Sequence, residues 1–229
     1  DFRPAPAEVR ASSDAFVRGL AQIHALDWRS AGLDTIYKGP GYLERQVHGW
    51  AARWEKAKTE EISAMDRVGD WLANQLPPDA DATLIHNDYK FDNLVFDVQD
   101  LGHLAGVLDW EMATIGDPLS DFATTLGGFF PVSTEASKTV AQCWMIREPG
   151  AYTPRELCDA YARHSGRDLG NLLYYVVFAQ YKGAVIVQQI YARFARGHTH
   201  DERFATLGAL ANRMSANADA LIGRGRLDL

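Results

Sequence analysis

The stretch LIHNDYKFDNLVF, residues 84–96, decides how this sequence is interpreted. It places a histidine, two aspartates, a lysine and an asparagine between two apolar ends that have the composition of short buried strands. Turns commonly contain Asn, Asp and Gly, but a turn by itself rarely requires an acid, a base and an amide together. These polar side chains are therefore candidates for chemistry as well as for turn formation.

Size and composition define the class of protein around this stretch. The sequence has 229 residues, 47% of them apolar and 23% charged, which is typical of a soluble globular protein of one large or two small domains. The formal net charge of −7 argues against a nucleic-acid partner, because phosphate backbones attract basic surfaces. A cationic or neutral small molecule would suit this charge better.

Location is predicted from what the sequence does not contain. No apolar run reaches the length of a membrane span, and the N-terminal residues lack the apolar segment of a signal peptide. We therefore expect a cytoplasmic protein without a membrane partner. The two cysteines, Cys143 and Cys158, are expected to be buried reduced thiols and not a disulfide.

Hydrophobic periodicity predicts a mainly α protein with a small β-hairpin element. After residue 83, the short apolar runs TLIH, NLVFDV and LAGVLDW predict small strands separated by turns. His24 lies on the buried edge of the first predicted helix and is expected to be a packing residue. Helices are predicted over residues 8–27, 42–58, 62–76, 171–196 and 202–222, and another begins at Thr153-Pro154 with a capping residue and an N1 proline.

The spacing of four polar residues indicates a metal and acid–base site. His86, Asp88 and Asn93 follow one apolar strand, and Asp109 ends the next one. If NLVFDV and LAGVLD pair as a hairpin, Asn93 and Asp109 lie at the same end, where their oxygens would suit Mg²⁺. A carboxylate at position 88 would then face the site and accept the proton of an attacking hydroxyl.

These residues match the pattern H-x-D-x-x-x-x-N of protein-kinase catalytic loops. The chain further resembles the aminoglycoside phosphotransferase and choline kinase family, in this loop, in LDWE at residues 108–111 and in GDPLSDFA at residues 116–123. It is most similar to the subgroup fused to, or encoded beside, certain acyl-CoA dehydrogenases. Members of that subgroup share the LAQIHALDW-like helix at residues 20–28 and the YLERQV segment at residues 42–47.

The resemblance implies ATP and Mg²⁺ as cofactors and a role for each central residue. Asp88 is implied to be the catalytic base, and Asn93 and Asp109 to be the Mg²⁺ ligands. Lys90 is implied to bind the nucleotide and to neutralise charge on the transferring phosphoryl group. Phosphoryl transfer needs in-line positioning and positive charge around the equatorial oxygens, which such a set would supply.

Other positions are implied to support this loop. His86 is expected to hold the loop by hydrogen bonding, and Asp121 to anchor its backbone amides. Glu111 is characteristic of the subgroup and is a further candidate contact for metal or substrate. Asn87 departs from the family, which usually has glycine there, so the local backbone is expected to differ.

The resemblance also implies the domain organisation. Residues 1–229 are expected to form the helical C-terminal lobe of a protein-kinase-like α+β fold. The catalytic loop and metal site would occupy residues 84–123, and acceptor-side helices residues 1–76 and 153–223. No part of the sequence before residue 83 predicts several strands. The N-terminal nucleotide lobe is therefore expected to be missing from this chain, which alone would be inactive or weakly active.

The predicted function is ATP-dependent transfer of a γ-phosphoryl group to a hydroxyl of a small molecule. The family resemblance implies acceptors such as a hydroxyacyl thioester, an amino alcohol or an aminoglycoside. The alternative is a non-catalytic binding or scaffold module that keeps the fold. Retention of Asp88, Lys90, Asn93 and Asp109 favours the enzyme over the module.

Overall fold

The computed structural model of the chain describes residues 3–127 and 144–229. Helices α1 to α7 are Pro6–His24, Tyr42–Ala57, Ser63–Asn74, Pro118–Gly127, Pro154–Ser165, Leu172–Ala195 and Leu207–Arg224. Strands β1 to β4 are Thr83–Ile85, Leu94–Asp97, Asp100–Val107 and Thr114–Gly116. The predicted fold class, mainly α with a small β-hairpin element, is confirmed.

Within the described residues the chain divides into two compact units. Unit 1 consists of the described residues within 1–39 and 80–170, with residue 229, and it contains α1, α4, α5 and the strands β1 to β4. Unit 2 consists of residues 40–79 and 171–228 and contains α2, α3, α6 and α7. Helices α1 and α5 thus lie in the same unit as residues 84–123.

Two small antiparallel sheets lie in unit 1. The predicted hairpin is present, since β2 pairs with β3 and Leu94 lies opposite Val107. The second sheet pairs β1 with β4, with Ile85 opposite Thr114, and this strand β4 was not predicted. Both sheets carry polar residues directly beyond their strand ends, so the pairing determines where the candidate site forms.

Helix α1 packs against the hairpin and is central to unit 1. It begins with a proline at the first turn, where the missing N–H costs nothing, and its buried stripe includes Val9, Phe16 and Leu20. At Gly19 a Cβ atom would lie 2.6 Å from both Leu104 Cδ2 and Tyr89 Oη. Glycine at this position therefore allows the close approach of α1 to β3 and to the loop that follows β1.

Aromatic side chains fill the core of unit 1. Phe16 stacks on Phe91 with ring centroids 4.3 Å apart, and it also contacts Tyr89 at 5.0 Å. Phe122 of α4 stacks on Tyr161 of α5 at 4.0 Å. Each buried aromatic ring contributes on the order of 2–3 kcal/mol through apolar burial, so these pairs fix α1, α4 and α5 around the loop.

Unit 2 packs four helices around its own core. The long helix α6 buries a nearly continuous apolar surface, and two of its polar groups are satisfied internally. Tyr174 Oη donates to the carbonyl of Leu72, and Gln188 Nε2 donates to the carbonyl of Ala57. These bonds tie α6 to α3 and α2, because a buried polar group without a partner would be costly.

Two further observations concern cysteine burial and the apolarity of the helices. Cys158 is a buried free thiol, as predicted, and burial raises its pKa to about 12. Cys143 lies outside the described residues. In the part of the chain that the structure describes, no helix has both the length and the apolarity that a membrane crossing requires.

Candidate active site

The loop after β1 lies between two elements that fix its start. Strand β1 ends at Ile85 beside Thr114 of β4, and His86 follows directly. Strand β4 leads into Asp117, whose carboxylate accepts a hydrogen bond from the N–H of Leu119 at 2.8 Å and caps α4. Through this cap the GDP segment, residues 116–118, sets the direction of α4. Asp121, in the first turn of α4, thereby lies next to the loop.

Asp121 binds the backbone of the loop. Its Oδ2 accepts a hydrogen bond from the N–H of His86 at 2.7 Å, and its Oδ1 accepts one from the N–H of Asn87 at 2.8 Å. The carboxylate is fully buried. Two charge-assisted bonds in a buried site are strong and specific, so Asp121 fixes the path of the chain where the loop begins.

His24 contributes a contact that sequence reasoning missed. Its Nε2 lies 3.2 Å from Asp121 Oδ2, and its Nδ1 lies 2.7 Å from Tyr161 Oη. His24 is buried, as predicted, but it is more than a packing residue, because it donates to the anchoring carboxylate. The only signal in the sequence is its place on the buried edge of α1, since 97 positions separate it from Asp121.

His86 supports the loop with both ring nitrogens. Its Nδ1 accepts a hydrogen bond from the N–H of Asp88 at 3.3 Å, and its Nε2 donates to the carbonyl of Leu108 at 2.8 Å. This arrangement assigns the proton to Nε2, because Nδ1 must be an acceptor. His86 therefore connects the loop to the end of β3, where the predicted metal ligand Asp109 follows.

Asp88, Lys90 and Asn93 contact one another. Asp88 Oδ2 accepts a hydrogen bond from Lys90 Nζ at 2.7 Å and another from Asn93 Nδ2 at 3.0 Å. Asn93 Nδ2 also donates to the backbone carbonyl of Asp88 at 2.9 Å. The second carboxylate oxygen of Asp88 has no partner among the described residues, so it is available to accept a proton.

Asn93 and Asp109 lie at the same end of the hairpin, as the spacing predicted. Asn93 ends a short 3₁₀ turn just before β2, and its carbonyl accepts a hydrogen bond from the N–H of Leu108 at 2.8 Å. Asp109 directly follows Leu108 in the chain. Asn93 uses its side-chain Nδ2 for hydrogen bonds, and neither its side-chain oxygen nor the carboxylate of Asp109 has a hydrogen-bond or ion-pair partner within the described residues. Amide and carboxylate oxygens are ligand types that Mg²⁺ accepts.

Two residues of this region adopt left-handed backbone conformations. Asn87 has φ 66° and Asp109 has φ 64°, and they are the two non-glycine residues with positive φ in the described chain. Asn87 Nδ2 donates to the carbonyl of Met112 at 3.0 Å, which helps to hold this conformation. Asn and Asp tolerate positive φ better than other residues, so Asn87 adopts a backbone that glycine reaches without cost.

The remaining candidate and its neighbours lie at the surface. Glu111 is exposed in the 3₁₀ turn Trp110–Met112, with no hydrogen bond or ion pair to other described residues. Trp110 packs on His86 with centroids 4.8 Å apart, and its Nε1 donates to the carbonyl of Val107. The large apolar side chains of residues 84–123 that are exposed to solvent include Val95, Leu108, Trp110 and Met112.

Comparisons with known proteins show the family to which the chain belongs. A model described as the phosphotransferase enzyme family matches residues 2–157, which is more than half of the chain. The chain belongs to the phosphotransferase enzyme family. Its resemblance to that family through the loop, the DWE segment and the GDPLSDFA segment is therefore confirmed.

One curated relative also connects this phosphotransferase-family chain to acyl-CoA dehydrogenases. Acyl-CoA dehydrogenase family member 11 of Gallus gallus is 37% identical over 204 residues, covering 86% of this chain and 26% of the relative. The chain thus spans about a quarter of the length of that relative. The similarity confirms the predicted subgroup.

Solved structures of phosphotransferases share the fold. A protein of Ralstonia eutropha described as a candidate aminoglycoside phosphotransferase superposes with a TM-score of 0.86 at 27% identity, over 96% of this chain and 67% of that one. A spectinomycin phosphotransferase, solved in complex with ADP and spectinomycin, has a TM-score of 0.58 at 13% identity. It covers 92% of this chain and 66% of that chain, and this likeness shows the fold alone.

Proposed function

We propose that this chain is the catalytic lobe of an ATP-dependent kinase that phosphorylates a hydroxyl of a small molecule. Family membership supports phosphoryl transfer as the reaction. The observation that carries the proposal is the arrangement around Asp88. One of its carboxylate oxygens is held by Lys90 at 2.7 Å and by Asn93 at 3.0 Å, and the other has no partner among the described residues.

This arrangement suits Asp88 as a general base. The contacts of Lys90 and Asn93 fix the carboxylate in one orientation, and the free oxygen can accept the proton of the acceptor hydroxyl. The Asp88 side chain is 39% exposed, so an acceptor has access to it. In this proposal, Lys90 also supplies positive charge near the transferring phosphoryl group.

The donor and metal are assigned on the chemistry of the side chains. Asn93 and Asp109 would hold Mg²⁺, because both offer oxygens that other described residues do not use. Mg²⁺ commonly takes one or two protein ligands and completes its shell with water and phosphate oxygens, and when bound it neutralises phosphate charge. ATP as the donor is supported by the ADP found with the spectinomycin phosphotransferase of the same fold.

The acceptor is proposed to be a hydroxyacyl thioester, with amino alcohols and aminoglycosides as the next classes to test. Support for the thioester comes from the name of the Gallus gallus relative, an acyl-CoA dehydrogenase family member. Aminoglycosides are supported only by the names of structural neighbours. The formal net charge of −7 favours cationic acceptors, but a net charge bears on association more than on the chemistry of a site.

The test is ADP formation by the complete protein with ATP, Mg²⁺ and a panel of hydroxylated acceptors. We expect turnover with at least one hydroxyacyl thioester, and loss of turnover by about 10³-fold or more in Asp88→Asn. Asp92→Asn is the matched control, because Asp92 is an exposed aspartate of the same loop whose side chain has no hydrogen bond or ion pair with other described residues.

Undiminished turnover in Asp88→Asn would exclude Asp88 as the base. Absence of ADP formation with every acceptor, together with unimpaired binding of a small molecule, would instead favour a non-catalytic binding or scaffold module. The two results are distinguishable, since the first requires activity and the second requires its absence.

A further inference from the structure

Unit 2 contains a basic cavity that the proposed phosphotransferase site does not use. Its volume is about 200 Å³, and it lies between the C-terminal parts of α2 and α6. Apart from two alanines, its lining consists of Arg53, Lys56, Gln189, Arg193, Arg196 and His198. We refer to this feature as the basic cavity. It has four permanently cationic side chains in its lining and no carboxylate.

This concentration of positive charge is unusual for the chain as a whole. The sequence has 30 acidic and 23 basic residues, so acidic partners are available in excess. Elsewhere in unit 2, Arg67 pairs with Asp219 and Arg203 pairs with Asp201. Within the described residues, however, no arginine or lysine of the basic cavity forms an ion pair. No ion pair with a described residue therefore compensates the positive charge of the basic cavity.

Helix dipoles explain only part of this charge. Helix α2 ends at Ala57 and helix α6 at Ala195, so cations near these ends are favourable. Each helix C-terminus carries roughly half a negative charge, which together offset about one of the four positive charges. Arg196 also donates to the carbonyl of Lys56 at 3.1 Å, which satisfies one of the free carbonyls of α2. About three positive charges remain without a counterpart in the lining.

We propose that the basic cavity binds the phosphate groups of a small organic phosphate. Guanidinium groups bind phosphate oxygens through paired hydrogen bonds, and lysine adds a further charge-assisted donor. Arg53 lies over the ring of Trp50 at 4.6 Å, which restricts its side chain before a ligand arrives. The volume exceeds that of several waters, at about 30 Å³ each, so a phosphate or diphosphate group fits.

A diphosphate group is expected to bind more tightly than a single phosphate, because it places more negative charge against the same cations. The binding should also weaken as salt is raised, because the cations are exposed and therefore screened. The lining of the basic cavity shares no residue with the site around Asp88, and its occupancy does not depend on phosphoryl transfer.

The test is calorimetric titration of the 229-residue chain with orthophosphate, glycerol 3-phosphate and pyrophosphate, in the presence of a chelator. We expect binding with pyrophosphate tightest, and a loss of at least about tenfold in the Lys56→Gln/Arg193→Gln double variant. Arg213→Gln is the matched control, since Arg213 is an exposed arginine of unit 2 outside the cavity. Thermal unfolding of each variant checks that the fold is retained.

Lys90→Met separates this site from the proposed active site. Pyrophosphate binding that persists in Lys90→Met and is lost in Lys56→Gln/Arg193→Gln supports the basic cavity, whether or not the protein proves to be a kinase. If glycerol 3-phosphate binds most tightly, the cavity is still supported as a phosphate site, and the expected preference for a diphosphate is overturned. The proposal is overturned if none of the three anions binds at low salt, or if the double variant binds them as the parent chain does.

Discussion

His24 Nε2 lies 3.2 Å from Asp121 Oδ2, and both side chains are buried inside unit 1. Asp121 in turn accepts hydrogen bonds from the N–H groups of His86 and Asn87. His24 therefore acts on the loop through Asp121, and in the proposed mechanism it has no contact with the reacting groups. A histidine on the first helix is thus coupled to the position of the proposed base.

We expect His24→Ala to lower the free energy of unfolding by about 2–4 kcal/mol. The change removes one partner of a buried carboxylate and one partner of the Tyr161 hydroxyl, and it leaves a cavity. Urea unfolding followed by circular dichroism measures the loss. His103→Ala is the control, because His103 is exposed on β3, and a similar loss in both variants would contradict the expectation.

The left-handed backbone at Asn87 predicts how glycine and a β-branched residue at this position will change stability. Asn87 has φ 66°, which glycine adopts without strain. Asn87→Gly loses the hydrogen bond to the Met112 carbonyl but relieves the backbone, so the free energy of unfolding should change by no more than about 1 kcal/mol. Asn87→Val should cost about 1–3 kcal/mol more, because a β-branched residue is strained there. Equal stability of the two variants would show that the left-handed conformation is not maintained in solution.

Lys90 is expected to matter for turnover and not for folding. Its ion pair with Asp88 is half exposed, and such surface pairs contribute less than about 1 kcal/mol to stability. If Lys90 stabilises the transferring phosphoryl group, Lys90→Met should lower kcat by about 10²–10³-fold. Steady-state kinetics of the complete protein and thermal unfolding of the same variant test both parts. A large loss of stability with normal kcat would reverse this assignment.

The lowered pKa of the Asp14 carboxyl predicts that the stability of the chain depends on pH. Burial alone would raise the pKa of this carboxyl, but the hydrogen bond and charge of His164, with the charge of Arg18, lower it overall. A folded-state pKa below the unfolded value stabilises the fold above the ordinary value of 3.8, and this contribution is lost as pH falls through the lowered folded-state pKa.

Asp14→Asn should therefore destabilise the chain at about pH 6, by less than about 1 kcal/mol for such a partly exposed group, and the difference should shrink toward about pH 2. Urea midpoints across this pH range measure it. Asp34→Asn provides the same charge change at an exposed turn. A difference between parent and Asp14→Asn that grows at low pH would contradict the sign.

The sequence was sufficient for the hairpin and for the order of residues around it. The short apolar runs NLVFDV and LAGVLD, separated by turn residues, predicted the two strands whose pairing brings Asn93 beside Leu108. The contact of Asp121 with two backbone N–H groups agrees with what the family resemblance implied. The catalytic and metal roles of Asp88, Asn93 and Asp109 stay predictions.

Other features had no readable signal. Strand β4 has three residues, too few to show a period of two, so its pairing with β1 was missed. The contact between His24 and Asp121 joins helices that are distant in sequence, and periodicity carries no information about such pairs. The positive φ of Asp109 was also unpredicted, because this conformation is set by tertiary context in residues other than glycine.

Asp121 recognises only main-chain N–H groups of the loop, and this has an evolutionary consequence. Hydrogen bonds to main-chain N–H groups do not depend on the identity of the side chains at those positions. Substitution at a loop position whose side chain does not itself hold the loop, such as the exposed Asp92, therefore leaves this anchor in place. A lineage can vary such positions and still inherit the Asp121 contact unchanged.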